Sequence, residues 1–178
     1  MNSLASEYLG RDYLLQRKSI VHSLVETLYL EGNKDSYLRQ NALGALQKFS
    51  LRRQAQSQMI GCNVIRWIMQ ILSSSPDNLS DYTFEYATAL LMNLSLRNKG
   101  KDACEKLAPE INIIRELSEM MEHPNVQVRT HVNGTLYSIL TRKILKQQAE
   151  AIGMQEILTY LMQNPDEQLQ RQIQYIEN

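Results

Sequence analysis

The 178-residue sequence predicts an all-α solenoid of about four stacked three-helix repeats. Three observations predict it. Blocks of matching pattern recur every 45 residues, the apolar residues inside each unit follow helical spacing, and no stretch alternates apolar and polar residues as a half-buried strand does.

The recurrence is read from three blocks. Residues 41–50 are NALGALQKFS, residues 86–95 are YATALLMNLS, and residues 131–140 are HVNGTLYSIL. Leu46, Leu91 and Leu136 coincide in this register, as do Phe49, Leu94 and Ile139, and the small residues Gly44, Ala89 and Gly134. Arg52, Arg97 and Arg142 carry the register past the block. Within a block Ala87, Leu91 and Leu94 are spaced i, i+4, i+7, one face of a helix, and Ala42, Leu46 and Phe49 repeat that spacing.

The elements follow in chain order. Repeat one, about 4–50, has IVHSLVETLYL (20–30) before its block. Repeat two, 51–95, opens with the short polar RQAQSQMIG (53–61) and continues with NVIRWIMQIL (63–72). Repeat three, 96–140, has GKDACEKLA (100–108) and EINIIRELSEMM (110–121) in the same places. Repeat four, 141–178, has KQQAEAIG (146–153), MQEILTYLM (154–162) and a truncated last helix in PDEQLQRQIQYIEN, with Leu169, Ile173 and Ile176 inward. Gly61 and Gly153 stand where a left-handed helix cap is expected. Pro76, Pro124 and Pro165 each follow a middle helix and cannot continue it. The chain then stops without a polar cap, as expected of a segment cut from a longer protein or of an end that meets a partner.

Three helices per unit, a small residue inside the third and a period in the forties match the armadillo class. The fold expected is therefore a right-handed armadillo-type α-solenoid forming a single domain over 1–178. Composition limits its chemistry. Lys and Arg number 19 and so do Asp and Glu, so no net field draws the chain to nucleic acid or to acidic lipid. Two cysteines without a CxxC make neither a disulfide framework nor a zinc site, which points to a reducing compartment. No signal-peptide pattern or membrane-length apolar run occurs, so a cytoplasmic or cytoskeletal location is expected.

Stacked third helices line a concave surface in this fold class. If Ala87, Leu91 and Leu94 face the core, helix geometry turns Tyr82, Tyr86, Ala89 and Asn93 toward the groove. The equivalent stripe is Tyr37, Asn41, Gly44 and Lys48 one repeat earlier, and Gln127, His131, Gly134 and Ser138 one repeat later. Amides and hydroxyls there can pair with the backbone of an extended ligand. The plainer reading is a solvated helix face. A mid-helix glycine costs about 1 kcal/mol relative to alanine, so Gly44 and Gly134 call for a compensating contact, from a ligand or from tight helix packing. Nuclear-import receptors of this class use paired Trp and Asn ladders, but here only Asn93 is an asparagine at the asparagine position and Gly44, Ala89 and Gly134 hold the tryptophan position, which argues against that role.

Arg52, Arg53, Arg97, Arg142 and Lys143 share a phase and form a second candidate surface, a basic ridge for an acidic partner segment. Its plainer reading is complementarity to helix C-termini. Direct binding of Arg52, Arg97 and Arg142 to acidic tubulin tails is the alternative function, and it would be salt-sensitive. His22, His123 and His131 lack metal-ligand spacing, Cys62 and Cys104 read as small packing residues, and Trp67 reads as core. Glu116, Glu119 and Glu122 read as a solvated stripe. No nucleophile, base and electrophile assemble into a catalytic constellation, and no catalytic, metal or cofactor residue is expected.

Finer resemblance lies in LASEYLGRDYLLQRK near the start, QNALGALQKFSLRRQAQSQMI (40–60), LSDYTFEYATALLMNLSLRNKGKDAC (79–104), VNGTLYSIL (132–140) and RQIQYIEN (171–178). Together they resemble the armadillo domain of the ciliary LisH-domain family called armadillo repeat-containing protein nine. The resemblance implies a scaffold at basal bodies, centrioles and ciliary tips. It implies partners among a TOG-array microtubule-binding protein and other ciliary-tip and centrosomal proteins, and a role in cilium assembly, axonemal stability and ciliary signalling. The family's LisH dimerisation motif and coiled coil are not in this stretch, so a monomeric segment is expected. The family has no catalytic residues to carry over.

Overall fold

A computed structural model describes residues 2–17, 19–32, 34–74, 79–163 and 167–177, and every regular element among them is helical. The helices are α1 (Asn2–Ser6), α2 (Tyr8–Leu15), α3 (Ile20–Glu31), α4 (Tyr37–Phe49), α5 (Arg53–Gly61), α6 (Val64–Ser74) and α7 (Asp81–Ser95). They continue as α8 (Asn98–Leu107), α9 (Ile113–Glu119), α10 (Val126–Ile139), α11 (Lys143–Ala151), α12 (Met154–Leu161) and α13 (Glu167–Glu177). Four triplets result: α2–α4, α5–α7, α8–α10 and α11–α13. Each third helix packs on the third helix of the next triplet, so α4, α7, α10 and α13 run as a layer. Helix α1 packs on α4 from the other side. Ala5, Ser50 and Ser95 lie 45 residues apart and all are fully buried, so α1 occupies the place of a shortened third helix before the first triplet.

The core is one cluster that runs through all four triplets. Second helices supply Val21, Val25 and Leu28, then Ile65, Ile68 and Leu72, then Ile113, Ile114 and Leu117, then Met154, Leu158 and Leu161. Third helices supply Ala42, Leu46 and Phe49, Ala87, Leu91 and Leu94, and Val132, Leu136 and Ile139, the same three places in each. Burying each large apolar side chain contributes about 1.5–3 kcal/mol. No triplet could do this alone, because each shares this one continuous core with its neighbours. Trp67 is buried on α6, and Leu169 and Ile173 anchor α13, while Ile176 is half-buried.

Caps set the starts of the third helices. Ser36, Ser80 and Asn125 accept hydrogen bonds from Arg39 N–H, Thr83 N–H and Gln127 N–H, and Asn112 does the same for α9. Such a cap is worth about 1 kcal/mol. The left-handed residues after α5 and α11 are Asn63 (φ 57) and Gly153 (φ 69). Gly61 is instead the last residue of its helix, so the cap lies two positions later than the glycine suggests. Asn63 and Gly153 stand two repeats apart, and asparagine tolerates this conformation better than other side chains do. Pro124 lies just before α10 as expected, and Pro76 and Pro165 fall outside the described residues. The turn from α7 into α8 is tight: a Cβ on Gly100 would lie 1.9 Å from Leu94 O.

Candidate functional site

The third-helix face is built by α4, α7 and α10, whose side-by-side packing puts residues 45 apart in adjacent rows. Its first row is Tyr37, Tyr82 and Gln127. Tyr37 is 85% exposed, Gln127 is exposed, and Tyr82 is half-buried. In the second row Asn41 is exposed, with Nδ2 donating to Tyr37 O at 2.8 Å, and Tyr86 and His131 are half-buried. Tyr82 and Tyr86 stack with ring centroids 4.1 Å apart and planes at 16°. Burial raises the Tyr82 phenol above its ordinary pKa. Burial likewise lowers His131 below the usual imidazole range, although nearby Glu85 opposes it, so the ring is neutral at pH 7. These residues form a face of aromatic rings, amides and a neutral imidazole.

The fourth row departs from the expectation. Lys48, Asn93 and Ser138 point toward the neighbouring triplet and not into an open groove. Lys48 bonds Asn2 through both the backbone and the side-chain oxygen, and its ammonium sits 6.0 Å from the Tyr86 ring centroid. Asn93 Nδ2 donates to Ser50 Oγ at 2.8 Å, and Ser138 Oγ donates to Ser95 O at 2.6 Å. Ser138 is 5% exposed, which removes it as a contact residue. The cause is local: each third helix ends with polar groups at Ser50 or Ser95, and the next helix supplies their partners. The mid-helix glycines are explained in the same way. A Cβ on Gly44 would lie 2.3 Å from Tyr82 Oη, and one on Gly134 would lie 2.8 Å from Met92 Sδ. Neighbouring triplets therefore fill the space those glycines leave.

A buried polar cluster stands at the start of this face, and sequence reasoning missed it. Arg39 is fully buried, pairs with Asp35 at 3.0 Å, and donates from Nη1 to Gly32 O at 3.1 Å. Asp35 also accepts from Ser80 N–H and Thr83 Oγ1, each at 2.6 Å, and so ties α4 to the start of α7. Partial burial raises the Asp35 pKa, but the hydrogen bonds from Thr83, Ser80 and Arg39 outweigh it and hold the carboxyl well below the usual range. Arg129, two repeats on from Arg39, repeats the bond to the preceding loop, with Nη1 to His123 O at 3.0 Å. That 90-residue recurrence of arginine was the available signal.

The basic ridge lies elsewhere. Arg52, Arg97 and Arg142 are the N-cap residues of α5, α8 and α11. They stand between a helix end and a helix start, so the two dipoles oppose each other at these arginines and C-terminal complementarity does not explain them. Arg52 instead meets Asp12 at 2.8 Å and lies 4.2 Å from the Tyr8 ring centroid, and Arg142 meets Asp102 at 2.7 Å. Arg53, Arg97 and Lys143 are exposed. The ridge is therefore not an unbroken basic ladder, since two of its three arginine rungs already carry acids.

Little here suits covalent or metal chemistry. Burial pushes the Cys104 thiol up to about 12 and raises Cys62, so neither is a thiolate at pH 7. Among the described residues no three His, Cys, Asp or Glu side chains are placed to hold a metal, and no helix is long and apolar enough to cross a membrane.

Comparison with known proteins fits this geometry. The family described as LisH domain-containing protein ARMC9, ARM repeats, matches residues 59–178. Over 176 residues the chain is 44% identical to LisH domain-containing protein ARMC9 of Bos taurus, covering 99% of this chain and 26% of that protein. The Homo sapiens protein of the same name is 43% identical over 99% of this chain and 21% of its own length. The chain thus spans about a quarter or less of these relatives. Among solved structures, a designed armadillo repeat protein in complex with peptide (KR)4 superposes with a TM-score of 0.76 at 14% identity, over 99% of this chain and 70% of that one. An engineered protein superposes with a TM-score of 0.75 at 16% identity over 98% of this chain and 40% of its own length, which again shows the fold. With the repeat, the helical triplets and the family match in agreement, the chain belongs to the ARMC9 armadillo-repeat family.

Proposed function

We propose that this domain is a non-catalytic protein-binding scaffold, and that it receives an extended partner segment on the third-helix face. The observation that carries this is the pair of rows Tyr37, Tyr82, Gln127 and Asn41, Tyr86, His131, aromatic and amide groups aligned across three triplets and open to solvent at several positions. Aromatic side chains supply contact area at low entropic cost, and amides pair with a ligand backbone. The designed relative in complex with a peptide supports the use of this fold for such a ligand.

The relationship to ARMC9 supports a placement at the cilium, basal body, centriole and ciliary tip. The partners proposed are TOG-array and other ciliary-tip or centrosomal proteins, and the process is cilium assembly with axonemal stability and signalling. Direct microtubule binding through Arg52, Arg97 and Arg142 is the weaker reading, since Asp12 and Asp102 already occupy two of those arginines. A photocrosslinking residue placed at Tyr37 or Gln127 of the full-length protein in ciliated cells tests the proposal. Both sites are expected to capture the same ciliary-tip or centrosomal protein, and the same residue at Glu119 on α9 is not. Equal capture from all three positions, or capture from none, overturns the third-helix assignment.

A further inference from the structure

Wherever one first helix follows another along the stack, an acid from the earlier helix pairs the arginine that opens the later one, with one exception. At the α8–α11 junction Asp102 meets Arg142 at 2.7 Å, and Glu105 Oε1 accepts from Ile144 N–H at 3.2 Å. At the α2–α5 junction Asp12 meets Arg52 at 2.8 Å. At the middle junction, α5–α8, the residues 45 positions before Asp102 and Glu105 are Ser57 and Ile60. Arg97, the counterpart of Arg52 and Arg142, is exposed and meets no carboxylate among the described residues. Lys99 N–H, the counterpart of Ile144 N–H, is a donor that a helix start leaves without an intrahelical acceptor.

A cavity of about 340 Å³ stands at this junction, lined by Arg53, Gln56, Ser57, Ile60, Arg97 and Lys99 among others, with no acid among the described residues of its wall. Arg53 also borders the adjoining cavity of about 410 Å³, where Asp12 already faces Arg52 and Arg17 and Arg53 are the further cations. Cationic ground therefore continues along the first helices for more than one acidic group.

We propose that the α5–α8 cavity binds a carboxylate side chain of a Glu-rich segment of a partner protein. The acid takes against Arg97 the place that Asp12 and Asp102 take against Arg52 and Arg142, and it reaches the free start of α8 as Glu105 reaches that of α11. A carboxylate is the chemistry that the two complete junctions hold, and the segment's further acids follow the cations toward Arg53 and Arg17. The site is carried by the first helices and stands independently of the third-helix face.

Fluorescence anisotropy with a labelled glutamate peptide of about ten residues tests this. The parent protein is expected to bind it and not the glutamine peptide of equal length, with affinity falling steeply from about 0.05 M to about 0.3 M salt. Ser57→Asp supplies the missing acid from within and is expected to weaken binding about tenfold or more while melting no lower than the parent. Arg97→Gln is expected to weaken binding similarly. Because it alters an exposed side chain, it keeps the test standing whatever Ser57→Asp does to the fold. Lys146→Gln removes an exposed charge on α11 that does not line this cavity, and is expected to leave binding unchanged. Equal binding of the glutamate and glutamine peptides overturns the proposal. So does unchanged affinity in Arg97→Gln, or an equal loss in Lys146→Gln. Tighter binding of a phosphoserine peptide of the same length assigns the cavity to phosphate and overturns the carboxylate.

Discussion

Asp35 and Arg39 carry more structural weight than their place on a loop and a helix start suggests. Arg39 is fully buried, so its charge is tolerated only because Asp35 and Gly32 O face it. Asp35→Ala is expected to cost about 3–5 kcal/mol in urea unfolding, since it strands a buried guanidinium and also frees Ser80 N–H. Replacing both residues, Arg39→Met with Asp35→Ala, is expected to recover part of that loss, and no recovery would show that the bonds to α7 dominate. The Asp35 contribution is in place above the ordinary carboxylate pKa and is lost only in acid. His131 acts at milder pH. Its folded pKa is lowered, so the unfolded state binds the proton first, and stability that is complete above about pH 6.5 declines as pH falls. His131→Gln is expected to flatten part of the decline between about pH 7 and pH 5 in unfolding melts. An unchanged slope would place the whole effect on His123, whose pKa is also lowered by burial, with Arg129 adding to it and Asp81 opposing it.

At the level of the helix, two glycines separate close backbone approach from side-chain packing. A Cβ at Gly100 meets the carbonyl of Leu94 and the N–H of Ser95, backbone atoms that cannot move without opening the α7–α8 turn. Gly100→Ala is therefore expected to destabilise the fold by about 2 kcal/mol or more, read from the denaturant midpoint. A Cβ at Gly134 meets only the sulfur and Cγ of Met92, the far end of a flexible side chain. There the gain in helix propensity, about 1 kcal/mol, offsets the shift of Met92, and Gly134→Ala is expected to be near neutral or stabilising. If the two substitutions cost the same, the explanation of these glycines by what they approach is wrong. The same contrast shows why the third-helix face was only half legible from sequence. Helical spacing identified Tyr37, Asn41 and Gln127 as outward. It could not show that Ser138 turns inward, because its partner is the Ser95 carbonyl of another helix.

Across the molecule, the apolar register was legible because every unit repeats it at 45 residues, and third-helix core residues such as Leu46, Leu91 and Leu136 meet the same surroundings. The polar links between units follow other offsets. Arg52 reaches back 40 residues to Asp12, and Asn93 reaches back 43 to Ser50, because a residue on one helix meets a different turn of its neighbour. The 45-residue period gives the places of Asp12, Ser57 and Asp102, and only the packing of the first helices shows which arginine each place faces. The same nearest-neighbour architecture predicts how stability is distributed. Helices α6 and α7 have a triplet on either side, whereas α13 exposes Tyr175 at 69% and packs on α10 and α12. Native-state hydrogen exchange is therefore expected to be slowest in α6 and α7 and fastest in α1 and α13, with intermediate free energies between. Asn93→Ala removes the link from α7 to Ser50, and it is expected to lower protection of α4 more than that of α10. Uniform protection in all helices, or an equal loss in α4 and α10, would mean that the stack unfolds as one indivisible unit and that stability does not pass from neighbour to neighbour.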